Sequence, residues 1–216
     1  MCHSSTARRV HMDVVLWECV PDITWADEFF PILLFPSFVP LDIKSVLDVG
    51  CGRGMLGCLL RIYREPTRLI AVDTFRPYLD FVEKLGIYDS VLQLDVSKSK
   101  LPFEEKEFDI VLCLEVIEHL KKEEGLRLLS ELERVSKRVI VSTPGIFRNQ
   151  RLFDGNVNQA HLSYYHVKEF EGRGYRVYGG GRMLFLGRQL PLVSEALGRL
   201  TYKFPKLSSS IVAVKG

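Results

Sequence analysis

The residues with the means to do chemistry are a run of glycines and a set of acids placed at the ends of apolar stretches. Gly50, Gly52 and Gly54 recur at alternate positions just after Val46-Leu47-Asp48-Val49, with Asp48 inside that stretch. Glycines at this density let a backbone turn tightly and let a ligand lie against it. Asp73, Asp95 and Glu115 each close another apolar run, at 69–72, 91–94 and 110–114. Asp73 lies about 20 residues past the glycine turn, the spacing at which a strand-end carboxylate accepts hydrogen bonds from a ribose diol. In Glu115-x-x-Glu118-His119 two carboxylates and an imidazole come close enough in sequence to hold a divalent metal. His119, His161 and His166 are the candidates for a general base.

The glycine turn alone admits three ligands. Gly52-Arg53-Gly54-Met55-Leu56-Gly57 spells GxGxxG, but the dinucleotide fingerprint places its first glycine directly after the strand, and here Gly52 comes one Gly-x pair later. Asp48 would oppose a pyrophosphate and suits an ammonium group, bound directly or through water. No GxxxxGK[ST] is present, which excludes a P-loop.

The elements that position these residues alternate. The sequence predicts strands at 45–49, 69–73, 91–95, 108–114 and 138–143, helices at 54–64, 77–85 and 121–136, and a looser region after Gly145. There, 147–165 reads as a polar, histidine-bearing loop, 167–171 as a helix, 175–178 as a strand, 191–202 as a helix and 210–215 as the last strand. The two last strands are expected to pair at one sheet edge. Strand–helix alternation implies an α/β fold, a parallel sheet wound by helices, and ligands in such sheets bind outside the carboxyl ends of the strands.

Bulk properties narrow the class. The chain has 216 residues, 47% of them hydrophobic, which fits one domain with an ample core. The apolar run at 32–41 is short and carries Pro36 and Pro40, so no membrane span is expected. Five cysteines without CxxC spacing suit reduced thiols and a cytoplasmic location. The net charge of +2 hides an asymmetry: from Ser142 onward there are 11 Lys/Arg and 4 Asp/Glu, leaving 18 and 23 before it. A basic C-terminal part facing an anionic acceptor is the expectation that follows.

Val46-Leu47-Asp48-Val49-Gly50-Cys51-Gly52-Arg53-Gly54 resembles the first motif of class I S-adenosylmethionine-dependent methyltransferases. Asp73, Asp95 and Phe108 to Leu120 resemble that family's later motifs, in order, and the likeness is close over 42–145 and looser over 145–216. The small-molecule members of ubiquinone and menaquinone biosynthesis are similar. The resemblance implies a Rossmann-like doubly wound, mostly parallel seven-stranded sheet with the last strand antiparallel. It implies one domain over 1–216: an N-terminal helical cap (1–41), a cofactor-binding core (42–145), and a substrate-side loop with the last strands (146–216). S-adenosyl-L-methionine would be the cofactor and S-adenosyl-L-homocysteine the product.

The resemblance also distributes roles. Gly50, Cys51, Gly52 and Gly54 would cradle the methionine part of the cofactor and Asp48 its amino end. Asp73 and Thr74 would hold the ribose, Asp95 and Val96 the adenine edge, and Leu114 and Glu115 the wall beside the sulfonium. Glu115, Glu118 and His119 match a metal set in ubiquinone-type O-methyltransferases and in small-RNA methyltransferases, where a later histidine, here His161 or His166, joins them. The expected acceptor is a small molecule with an oxygen or nitrogen nucleophile, anionic or glycan- or lipid-linked, taken by a monomer or homodimer. Two alternatives stay open, an RNA methyltransferase using the E-x-x-E-H metal set and a non-catalytic cofactor-binding domain. No RNP-type aromatic motif, zinc module or base-flipping tetrad supports a nucleic-acid substrate.

Overall fold

A computed structural model of the chain describes residues 37–147, 155–180 and 198–216. The strands are β1 (Ser45–Val49), β2 (Arg68–Asp73), β3 (Ser90–Gln93), β4 (Phe108–Leu114), β5 (Ser136–Pro144), β6 (Arg176–Gly179) and β7 (Ser210–Lys215). They form one sheet in the order β3-β2-β1-β4-β5-β7-β6. The pairs from β3 through β5 are parallel, and β7 runs antiparallel to both β5 and β6. The seven-stranded, mostly parallel, doubly wound architecture and the terminal antiparallel pair are those expected from the sequence.

The helices are α1 (Met55–Tyr63), α2 (Arg76–Leu85), α3 (Lys122–Val135), α4 (Val167–Gly172) and α5 (Gly198–Lys203). The strand pleat sends alternate side chains to opposite faces, so each strand feeds two cores. Val46, Leu69 and Ile110 pack with Leu60 of α1 and Leu79 and Val82 of α2. Leu47, Val49 and Val111 pack on the other face with Leu128, Leu129 and Leu132 of α3 and Phe170 of α4. This is why the parallel strands read as continuous apolar runs. The chain lays down β1, β2 and β3 to one side and then returns to β4 on the other. The reversal leaves a crevice above the carboxyl ends of β1 and β4, the place where such sheets bind ligands.

Element ends differ from the sequence expectation by a few residues. The third strand stops at Gln93, not Asp95, because the Asp95 carboxylate turns back to accept hydrogen bonds from the Ser97 N–H (3.0 Å) and hydroxyl (2.6 Å). Gly86 ends α2 in a left-handed conformation (φ 63°), as a glycine there should. The helix expected at 191–202 is described only from Gly198, and residues 1–36 of the expected N-terminal cap lie outside the described residues.

Candidate active site

The turn after β1 is fastened to β2 by main-chain bonds. The N–H groups of Gly50 and Cys51 donate to the Val72 carbonyl (2.7 and 3.2 Å), and the Gly52 N–H donates to Oδ2 of Asp73 (2.9 Å). Gly50, Gly52 and Gly54 all have positive φ (75°, 52° and 82°). Two of them also have a packing role: a Cβ on Gly50 would stand 2.3 Å from Cγ2 of Val116, and one on Gly54 would stand 2.7 Å from Val82. A Cβ on Gly52 would meet nothing within 4 Å. Backbone there faces open space, as a surface meant to carry a ligand must. Asp48 is fully buried beneath this turn, and its Oδ2 accepts a hydrogen bond from the Tyr88 hydroxyl (2.6 Å). Burial pushes the Asp48 carboxyl up to about 7, against the Tyr88 hydrogen bond and with help from Asp73.

Asp73 closes β2 with its carboxylate almost buried. One oxygen takes the Gly52 N–H and the other the Phe75 N–H (2.9 Å each), which aims the group without using up its lone pairs. Burial raises its pKa, and the backbone donors of Phe75 and Gly52 oppose the rise. Thr74, Tyr78, Val96 and Asp95 continue the same wall. Burial pulls the Asp95 carboxyl up, but Lys98 (2.6 Å) and Ser97 outweigh it and hold the group below its usual value.

These residues line one end of a cavity of about 740 Å³, and the other end is built by the turn after β4 and by the loop 155–163. Glu115 sits in a left-handed conformation (φ 54°), uncommon for a residue with a side chain and a form of strain that concentrates at functional sites. Its carboxylate accepts from the hydroxyls of Ser142 (2.6 Å) and Ser210 (3.3 Å). A single 3₁₀ turn, Ile117–His119, follows. The Glu118 carbonyl accepts the N–H groups of Leu162 (2.8 Å) and Ser163 (3.0 Å), which ties the later loop to this turn. His161 is thereby carried onto His119, with ring centroids 4.9 Å apart and edge to face. Nδ1 of His119 lies 3.2 Å from the Ala160 carbonyl oxygen, which can only accept, so this nitrogen carries the proton. Burial, and then His161, lower the His119 pKa to about 4, so the ring is neutral at pH 7.

The Glu118 side chain is 2% exposed and neither of its oxygens has a hydrogen-bond partner. Burial first, and the charge of Glu115 second, raise its pKa well above the ordinary carboxylate range. Donor atoms of Glu118, His119 and His161 lie within 4.8 Å of one another. A buried carboxylate without a partner, beside two imidazoles, fits a divalent cation in donor type and spacing. Of the two later histidines expected from sequence, His161 is the one brought to Glu118 and His119, while Glu115 lies beside Glu118 with its carboxylate on two serines.

Gly50, Gly52, Asp73, Thr74, Asp95, Val96, Glu115, His119 and His161 all line the cavity, as does Glu118. Asp48, Cys51, Gly54, Leu114 and His166 do not. Asp48 and Gly54 form the underside of the glycine turn, while Cys51 and Leu114 are buried. His166 is exposed at the start of α4 with its ring against Tyr164. Tyr78, Ser97, Asn156, Gln159, Ser209 and Ser210 join the lining without any sequence motif to announce them. The basic bias of the C-terminal part does not reach this place: among the described residues after Ser142, no Lys or Arg lines the cavity. The expected basic wall for an anionic acceptor is therefore absent from the described lining, because Lys168, Arg173, Arg176, Lys203, Lys206 and Lys215 lie elsewhere on α4, β6, β7 and their surroundings.

Residues 47–139 match the methyltransferase domain family. That stretch is similar to methyltransferase domains, and the fold around it is that of the S-adenosylmethionine-dependent class. Over 160 residues this chain is 26% identical to an uncharacterised protein of Methanocaldococcus jannaschii, covering 71% of this chain and 64% of that one. A ubiquinone biosynthesis O-methyltransferase of Rickettsia prowazekii is 27% identical over 110 residues, 43% of this chain and 42% of the relative. The chain thus spans less than two thirds of the length of these relatives. A solved S-adenosylmethionine-dependent methyltransferase from Archaeoglobus fulgidus superposes with a TM-score of 0.58 at 21% identity, over 88% of this chain and 94% of that one, a likeness of fold. S-adenosylmethionine is the cofactor that these likenesses imply. The cavity fits it on two counts from the chain's own geometry: open backbone above Gly52, and the aimed Asp73 carboxylate one strand away.

Proposed function

We propose that the chain moves a methyl group from S-adenosylmethionine to a small acceptor that carries a hydroxyl or an amine. The observation that carries this reading is the continuity of one cavity from the glycine turn and Asp73 to Glu118, His119 and His161. Bound there, the cofactor would supply an activated methyl group on a sulfonium, so that positioning of the acceptor provides much of the rate. Asp73 would accept the ribose hydroxyls, and Gly50 and Gly52 would let the amino-acid part lie on bare backbone. Asp95 and Val96 would border the base.

Among the described residues the ionisable lining is Glu115, Glu118, Glu124 and the two histidines, with Asp73, Asp95 and Lys98, and Lys98 is paired to Asp95. A hydroxyl or amine of the acceptor would meet the amides of Asn158 and Gln159 there. Glu118, His119 and His161 would be the protein ligands of a divalent cation, which would lower the pKa of an acceptor hydroxyl.

Labelled-methyl transfer into a cell extract, fractionated into small molecules, RNA and protein, tests the reading. Label in the small-molecule fraction supports it. Label in RNA would replace it with nucleic-acid methylation, and binding of S-adenosylhomocysteine without any transfer would point to a non-catalytic domain. The metal set has its own readout. Titration with manganese, followed by paramagnetic broadening of histidine resonances, should affect His119 and His161 and be lost in Glu118→Gln.

A further inference from the structure

Tyr88 has no place in the sequence motifs, yet it lies against Gly54 of the turn, Gly57 of α1 and Asp48 of β1. It follows α2 and lies almost fully buried. A Cβ on Gly57 would stand 2.5 Å from its ring, and one on Gly54 would stand 3.4 Å from Cε2. Its hydroxyl reaches the carboxylate of Asp48, 40 residues earlier, at 2.6 Å. The second oxygen of Asp48 is buried with no hydrogen-bond partner. The turn itself does not satisfy that oxygen, since its N–H groups go to Val72, Asp73 and Cys51.

We propose that Tyr88 is a positioning residue for the methyl donor: it holds Asp48 as an anion beneath the glycine turn, where that charge attracts the ammonium of the cofactor's amino-acid end. The inference rests on the cofactor reading above. The groups around Asp48 are named easily. Cys51 on the turn, Cys58 on α1, Cys113 on β4 and Asp73 on β2 share its surroundings, and none is a cation. Asp48 thus relies on the Tyr88 hydroxyl to remain ionised in a setting where burial alone favours the neutral acid. A hydrogen bond to a charged group lost from such a site shifts a pKa by about one to two units.

The test is calorimetric binding of S-adenosylhomocysteine to the intact chain between about pH 6 and 9, in wild type, Tyr88→Phe and Asp48→Asn. A parallel titration uses 5′-methylthioadenosine, which lacks the amino-acid end. Wild-type affinity for S-adenosylhomocysteine should rise with pH as Asp48 ionises. In Tyr88→Phe the rise should come about one to two pH units later. Near pH 7 the variant should bind about tenfold more weakly, and near pH 9 it should approach wild type. Asp48→Asn should show no such rise, and methylthioadenosine should bind all three proteins alike. The ammonium's own titration is common to all three and cancels in the comparison. A Tyr88→Phe profile that is lowered by one factor at every pH, or that is unchanged, overturns the inference. So does an equal loss of methylthioadenosine binding. If Tyr88→Phe does not fold, wild type carrying 13C-labelled tyrosine decides: a Tyr88 Cζ resonance that moves with the same midpoint as the binding rise supports the inference, and one that does not overturns it. Failure of wild type to bind S-adenosylhomocysteine at any pH would instead sink the cofactor reading.

Discussion

Replacing Gly50 with alanine should do two separable kinds of damage. The residue has φ 75°, and a left-handed conformation costs a residue with a Cβ about 1–2 kcal/mol. The new methyl would also stand 2.3 Å from Cγ2 of Val116, 3.3 Å from Cγ1 and 3.4 Å from Cβ. Contact that close requires Val116 to move, and overpacking of this kind costs about 1–3 kcal/mol. The two add to about 2–5 kcal/mol of lost stability. They separate because only the second depends on Val116. In Gly50→Ala/Val116→Ala the clash is gone and the backbone cost remains, so the double variant should be more stable than the two single losses imply, by about 1–3 kcal/mol. Urea denaturation of the four proteins measures this coupling. Additive losses, or a Gly50→Ala loss below about 1 kcal/mol, would refute the account of how the glycine turn meets the turn after β4.

Asp73→Ala should weaken binding of S-adenosylhomocysteine by about 1.5–3 kcal/mol, the range for lost hydrogen bonds to a charged group, as measured by calorimetry. Asp73→Asn should recover part of this, since an amide oxygen still accepts. The Lys137 hydrogen bond, with the N–H groups of Lys44 and Ser45 and against some burial, holds the Asp109 carboxyl down at about 2. Its folded value is below its unfolded one, so its contribution is full above the unfolded pKa near 4 and is lost as pH falls from there towards 2. Partial exposure of both partners limits the effect to about 1–2 kcal/mol. Asp109→Asn should flatten the stability curve over that window. An unchanged acid limb would show that the group does not contribute.

Much of this site could be read from sequence because its parts are local. The apolar run into Gly50 has a strand's pattern whatever lies beside it, and the acids at 73, 95 and 115 sit at the ends of similar runs. Parallel strands end on one side of a sheet, so placing each acid at a strand end was enough to bring them together. What depended on distant partners was not legible. His161 and His166 are equivalent as letters, and only the bonds from Leu162 and Ser163 to the Glu118 carbonyl choose between them. The hydrogen bonds from Ser142 and from Ser210, the latter 95 residues away, to the Glu115 carboxylate are likewise absent from any local pattern. Charge counted along the chain does not say where folding puts it. The Lys and Arg residues of the described C-terminal part cluster in sequence, but folding spreads them over α4, β6, β7 and their surroundings, away from the cavity.

The two amide bonds that fasten the loop to Glu118 involve no side chain on either partner. Main-chain anchoring is indifferent to which residues occupy 156–160, the stretch whose Asn156, Asn158 and Gln159 line the cavity. The pairing of His119 with His161 and the shape of the specificity wall can therefore change independently. A descendant of this chain has the means to exchange one acceptor for another by point substitutions in that stretch, while its proton-handling groups stay in register.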